Sequence, residues 1–197
     1  MLVDQSANSW AARFLELGRE ANRPITNMKL QKLVTLAESA SEYVRSTPAF
    51  DEDVQAWENG PAVYPVYARY KSYKSAAITE IERAGTRKLN DEDELIANEV
   101  WGIAGLLSAG GLRKLTHKVG PWPIHYQPGI MGIRLPGEEL GAAWPKYVAL
   151  AQRLTQYREP MQTAIVGRGA DGFRTEQDRV HASKSFRLSR PAARAGG

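Results

Sequence analysis

Apolar residues recur at helical spacing along most of this chain, and residues that terminate helices close each run. Trp10, Phe14 and Leu17 stand at i, i+4 and i+7 with Ala11 and Leu15 beside them. This spacing predicts an amphipathic helix over about residues 7–21, ended by Asn22, Arg23 and Pro24. Thr26 or Asn27 is placed to cap a second helix over about 28–45, with Leu30, Leu33, Val34, Ala37 and Val44 as its apolar stripe and Lys29, Lys32, Glu38 and Glu42 largely off that face. The TPAF stretch at 47–50 breaks it.

Asn59, Gly60 and Pro61 read as a turn, because Gly tolerates positive φ and Pro fixes the φ that follows. Pro65 suits the first position of a further helix carrying Tyr67, Tyr70 and Tyr73. Residues 76–82 alternate weakly and are the segment that reads as a short strand, although one strand alone cannot make a sheet. Asn90 followed by the acidic run 91–94 is a helix start: the amide side chain accepts a backbone N–H, and carboxylates favour the positive end of the helix dipole. Ile96, Val100, Ile103 and Leu107 form its apolar face, residues 108–111 interrupt it, and Leu112 and Leu115 anchor a short helix stopped by Gly120, Pro121 and Trp122. A last helix is expected to begin near Pro145 and to bury Val148, Ala151 and Leu154, together with Tyr157 or Trp144. The pattern is that of a mainly α, compact single domain over 1–158 with at most one short β element.

Composition sharpens this picture in two respects. With no cysteine among 197 residues, disulfides, thiolate metal sites and cysteine nucleophiles are all absent. Charged residues interrupt the first twenty positions, and the uncharged stretch 100–112 is far shorter than the roughly 20 residues a membrane span needs, so a cytoplasmic location is expected. The net charge of +4 arises from one end of the chain: residues 1–159 hold 19 basic and 19 acidic side chains, whereas 160–197 hold 7 and 3. Residues 159–197 lack apolar periodicity and read as a basic, flexible extension able to hold nucleic acid weakly.

Isolated motifs yield little chemistry. GRGADG at 167–172 has the GxGxxG form but lacks the following helix, strand and distal carboxylate that dinucleotide binding requires, so a connector is the better reading. GIAG at 102–105 lies inside an apolar helical stripe and fits close packing rather than a nucleic-acid clamp. His117 and His125 are separated by Gly120 and Pro121 and cannot share a helical face with each other, and His181 lies far along the chain. His117 reads as a hydrogen-bonded structural residue; a catalytic role with Ser108 or Thr116 ranks last. The run 91–94 places its carboxylates on successive helical positions, which suits a cap better than an ion site. Lys29 and Lys32 serve equally as phosphate or acidic-partner contacts and as solvated helix surface. The aromatic residues Trp57, Tyr64, Tyr67, Tyr70 and Tyr73 serve as core, interface anchors or both.

Three segments in order carry more information: ITNMKLQKL at 25–33, AWENGP at 56–61 leading to Val66 and Tyr67, and LTHKVGPW at 115–122. Together they resemble the Panacea-domain proteins, also called SocA-like or GepA-like, which occur as antitoxins and phage-associated proteins. The resemblance spans roughly residues 8–123. It implies an α-rich domain without enzymatic activity or cofactor that neutralises a neighbouring toxin by direct protein contact. The residues carrying it, as structural or partner-binding positions, are Leu30, Gln31, Lys32, Leu33, Trp57, Asn59, Gly60, Pro61, Tyr67, Thr116, His117, Pro121 and Trp122. The family commonly has an aromatic residue where Thr35 stands and an apolar one where Tyr64 stands. The segment 127–137 and the basic end look peculiar to this chain and are expected to carry partner specificity or an added function. A nucleic-acid-binding regulator acting through the basic end is the rival reading.

Overall fold

A computed structural model describes residues 6–156. In chain order the elements are α1 (Ala7–Glu20), α2 (Asn27–Arg45), β1 (Val54–Trp57), β2 (Gly60–Val63), α3 (Tyr64–Tyr70) with a 3-10 turn (Lys71–Tyr73), α4 (Asp91–Ala104), α5 (Ala109–Lys118), α6 (Trp122–His125) and α7 (Gly137–Gln156). The described part is mostly helical, as the periodicity predicts, and adds a two-stranded antiparallel sheet that it does not predict. Among the described residues no single helix is long and apolar enough to cross a membrane.

The molecule is organised around α2. Thr26 caps it by accepting from the Lys29 backbone N–H, and Ser46 closes it with φ of 54°. Helices α1, α4 and α5 and strand β2 all pack on it, so every side chain from Lys29 to Ser41 is buried. This corrects the one-sided stripe expected for the helix: Lys29, Lys32 and Glu38 are buried, whereas Val44, placed on the apolar face, is exposed. A central helix has no solvent face, so its polar residues must find partners inside. The Lys29 amine donates to the Gly105 carbonyl at 2.7 Å and lies over the Trp101 ring at 5.5 Å. Thr35, with no exposed surface, donates back to the Gln31 carbonyl at 2.9 Å, which satisfies its hydroxyl.

The strands lie away from the segment expected to hold one. Residues 76–82 contribute a single bridge, Thr26 to Ala77, while the hairpin forms at 54–63 around Glu58 and Asn59, with Trp57 opposite Gly60. Strand β2 is buried at all four positions, so it lacks the alternation by which a strand is recognised. Neither hairpin edge is open. Segment 133–135 covers β1, with Ala56 N–H donating to Ile133 and Leu135 N–H donating to Val54, each at 2.8 Å, while side chains of α2 cover β2.

Other boundaries move for local reasons. Tyr64 rather than Pro65 opens α3. Asn90 caps α4 as predicted, accepting from Asp93 N–H at 2.9 Å, and the acidic run also pairs outward, Asp93 with Arg45 and Glu94 with Arg13, both at 2.8 Å. The break after α4 falls at 105–108 rather than 108–111. Ser108 caps α5 through Gly111 N–H, and Gly110 and Gly111 belong to its first turn. Gly105 follows the end of α4, where a Cβ would meet Trp101; nothing crowds Gly102, so close packing explains only one glycine of the pair. Helix α7 begins at Gly137, eight residues before the expected start, and carries Pro145 on an exposed position inside it. Its Leu140, Ala143, Trp144, Tyr147 and Ala151 enter the same core as Trp10 and Phe14 of α1. The GRGADG motif, His181, Tyr157 and the basic end lie outside the described residues.

Candidate partner-binding site

Three polar side chains of α2 fasten the hairpin and α3. Gln31 accepts the Val63 N–H at 2.8 Å and donates to the Asn27 side-chain oxygen at 3.0 Å, and Asn27 in turn donates to the Tyr67 carbonyl at 3.2 Å. Lys32 donates to the Pro61 carbonyl at 2.7 Å and is only 2% exposed. These bonds satisfy the edge groups of β2 that a third strand would otherwise pair. Leu30 and Leu33 fill the core beneath.

The second and third motifs meet over this frame. Gly60 has φ of 95°, and a Cβ there would stand 2.8 Å from Lys32 Nζ and 3.0 Å from His117 Nε2. The His117 ring stacks on Trp122 with centroids 3.6 Å apart, Trp122 stacks on Tyr126 at 4.8 Å, and the Trp122 indole N–H donates to the Trp57 carbonyl at 2.7 Å. Thr116 is fully buried and donates to the Leu112 carbonyl at 3.1 Å, and Pro121 is buried, so both serve the packing of α5 and α6. His125, on the other helix, bonds Glu139 at 2.9 Å, confirming that the two histidines do not converge. Among the described residues no three His, Asp or Glu side chains are grouped to hold a metal.

Burial shapes the chemistry of the buried ionisable groups. Desolvation, with Arg113 nearby, pushes the Lys32 amine down to about 7. The His117 imidazole is lowered by burial and by Arg113 and Lys32, against a hydrogen bond with the Asn59 backbone. Glu38, whose carboxylate accepts Ala49 N–H at 2.8 Å, is nonetheless pushed up to about 7 by desolvation, with Glu42 adding to the shift. Opposite slopes of stability with pH follow. Between about 4.5 and 7 the folded state holds the Glu38 proton that the unfolded state releases, so stability falls as pH rises. Between about 7 and 10.5 the unfolded state holds the Lys32 proton that the folded state has released, so stability rises again. We expect urea denaturation to find a minimum near neutral pH, with limbs on the order of a few kcal/mol. Glu38→Gln should flatten the acid limb and Lys32→Met the alkaline one; a dome centred on neutral pH in the parent would refute both assignments.

Outside the frame lies an aromatic face. The Trp57 ring, partly exposed, meets Tyr67 edge-on at 5.0 Å and Tyr64 at 6.3 Å. Tyr64 is 56% exposed and Tyr67 40%, while Tyr70 is buried, which divides the tyrosines between surface and core. Tyr126, Ile130 and Met131 continue the face across a cleft of about 700 Å³, with Met131 78% exposed. The motif residues brought together are thus Gln31, Lys32, Trp57, Asn59, Gly60, Tyr67, His117 and Trp122; the leucines, Thr116 and Pro121 support them from the core. Sequence reasoning missed Asn27 and Tyr126 as part of the site, whereas Ile130 and Met131 lie in the segment 127–137 expected to carry partner specificity. Asn27 carries a legible signal, standing one helical turn before Gln31; Tyr126 is joined to the face only by tertiary packing.

Neither the curated proteins nor the solved structures contain a match to this chain. Residues 30–123 match the model of the family described as Antitoxin SocA-like, Panacea domain. That segment runs from Leu30, within the α2 motif, to residue 123 in α6 and contains Gln31 and Lys32 of the polar frame, while Asn27 lies outside it and α1 and α7 complete the core from outside it. Over residues 30–123, therefore, the chain is similar to the Panacea domain of the SocA-like antitoxins.

Proposed function

We propose that this chain is an antitoxin that neutralises a toxin encoded beside it by direct protein contact, without enzymatic activity of its own, and that the toxin docks on the face of Trp57, Tyr64, Tyr67, Tyr126, Ile130 and Met131. The observation that carries the reading is that face: large apolar side chains are exposed together beside the residues of the family motifs. Contiguous exposed apolar surface is costly for a protein that acts alone, and Tyr and Trp are the side chains that most often dominate binding energy. The family description supplies the kind of partner. Co-expression with the adjacent gene tests it: growth should be rescued and the two proteins should co-elute. A harmless neighbour, or rescue without a complex, would overturn the reading.

A second reading rests on charge. Residues 160–197 hold the whole net charge of +4, and a nucleic-acid-binding regulator would act through Arg168, Arg174, Arg179, Lys184, Arg187, Arg190 and Arg194. We take the folded domain to end near residue 158 and neutralisation to depend on it alone. Deleting 160–197 should leave rescue and co-elution intact. It should also abolish a weak DNA affinity that in the full chain falls steeply with salt and ignores sequence. A tight, sequence-selective and salt-tolerant complex with its own promoter would reverse the ranking.

A further inference from the structure

Beside the aromatic face, a second and more polar feature opens between the start of α2, the hairpin turn and α3. It is a cleft of about 370 Å³ walled by Met28, Trp57 and Tyr67, with Lys32 in its lining and Lys71 and Lys74 exposed at its border. Every charged side chain that lines it is a lysine. Lys32 is the unusual member. The residue is 2% exposed yet lines the cleft, and the Pro61 carbonyl is the one hydrogen-bond partner of its amine among the described residues, although an ammonium carries three donors. His117 Nε2 faces the same spot, where Gly60 has no side chain, and this buried nitrogen has no partner among the described residues.

We propose that this cleft receives the carboxylate of an acidic side chain, flanked by apolar residues, on a partner polypeptide, with Lys32 Nζ as the fixed cation and Lys71 and Lys74 as the guiding rim. The inference rests on the reading of the chain as a protein-binding module and names the chemistry its partner must present. A carboxylate fits better than a phosphate: one buried amine balances a single negative charge, and no arginine fork lines the cleft to hold a dianion. The apolar walls fit a peptide whose acidic residue has hydrophobic neighbours. Lys32 is desolvated beside Arg113, which lowers the pKa of its amine. An incoming carboxylate supplies the missing counter-charge, favours the ammonium form and gains a charge-assisted hydrogen bond in a site sheltered from water. Gly60 keeps the floor open, since any β-carbon there would occupy the space between the two nitrogens.

The test uses the full chain and small probes, so it is independent of any toxin. The peptide acetyl-Phe-Glu-Leu-amide, its Gln counterpart, inorganic phosphate and a ten-residue oligothymidine would each be titrated against lysine-labelled protein while the Lys32 ε-methylene resonance is followed against pH. The Glu peptide should raise the Lys32 pKa by at least one unit and bind at least tenfold more tightly than the Gln peptide. Lys71→Glu with Lys74→Glu, both exposed, should weaken it several-fold without loss of folding, and Lys32→Met should remove the Glu preference. Equal binding of the two peptides, no binding of either, or a stronger response to phosphate or the oligonucleotide would overturn the proposal. If co-expression fails while the Glu peptide binds, the antitoxin reading falls and the cleft stands; the reverse pair of results removes the cleft alone.

Discussion

Placing charge on the aromatic face should abolish toxin neutralisation while leaving the fold intact. Tyr67→Arg combined with Met131→Asp puts two charges among Trp57, Tyr64 and Tyr126, where a partner would have to desolvate them. Hot-spot aromatics commonly contribute 2 kcal/mol or more, so the complex should weaken by at least about 30-fold and rescue in co-expression should disappear. Both positions are exposed, and neither side chain bonds the frame; the Tyr67 carbonyl that accepts from Asn27 belongs to the backbone and survives the change. Surface changes of this kind stay within about 0.5 kcal/mol, or about 2 °C in Tm. A double variant that still binds would place the toxin elsewhere. One that melts far lower would show that the face is structural. Trp122, stacked between His117 and Tyr126 and only 9% exposed, makes the contrast: Trp122→Ala should lose stability first and binding only as a consequence.

Gly120→Ala should be among the most destabilising single changes in the protein. Gly120 has φ of 90°, and a Cβ there would lie 2.0 Å from the Tyr147 hydroxyl oxygen and 2.8 Å from the ring carbon that bears it. Tyr147 is 1% exposed in the core face of α7, so its ring has no room to retreat. Overpacking typically costs 1–3 kcal/mol and a left-handed backbone about 1–2 more for a residue with a Cβ, giving about 3 kcal/mol and a fall in Tm of roughly 6–12 °C. The Tyr147 hydroxyl has no hydrogen-bond partner among the described residues, and burial raises its pKa above that of an ordinary phenol. Tyr147→Phe should therefore be nearly neutral alone and should recover part of the Gly120→Ala loss, because it removes the nearer of the two clashing atoms. Additive losses in the double variant would show that the backbone conformation, not the contact with α7, sets the requirement for glycine. The pairing also links the third family motif, through its glycine, to a helix that lies beyond the matched segment.

Local chemistry made much of this molecule legible in advance. Helix α1 spans Ala7–Glu20 against an expectation of about 7–21, and α2 and α4 begin at the predicted caps, because a cap and an apolar repeat act within a few residues and need no distant partner. The turn at Asn59 and Gly60, the stop after α5 and the family resemblance were equally local, written in short strings of residues. What surrounds each helix is not local. Lys29, Lys32 and Glu38 look solvent-facing on a helical wheel, yet α1, α4, α5 and β2 enclose α2, so all three are buried and bond backbone groups, Lys32 as part of the polar frame of the site. The hairpin escaped detection because β2 is buried on both faces and carries a Gly and a Pro, which removes both the alternation and the composition of a strand. Helix α7 was started eight residues late because Pro145 resembles a first-turn proline. Inside the folded helix it sits on the exposed side, where the burial of Leu140, Ala143, Trp144 and Tyr147 outweighs the lost backbone hydrogen bond. The sequence by itself thus determined where helices start and stop and which family motifs are present, since those depend on neighbours along the chain. Only the tertiary structure decided which lysine is buried, which tyrosines face outward and that segment 127–137 joins Trp57 in one surface, since burial is set by what packs from elsewhere in the chain.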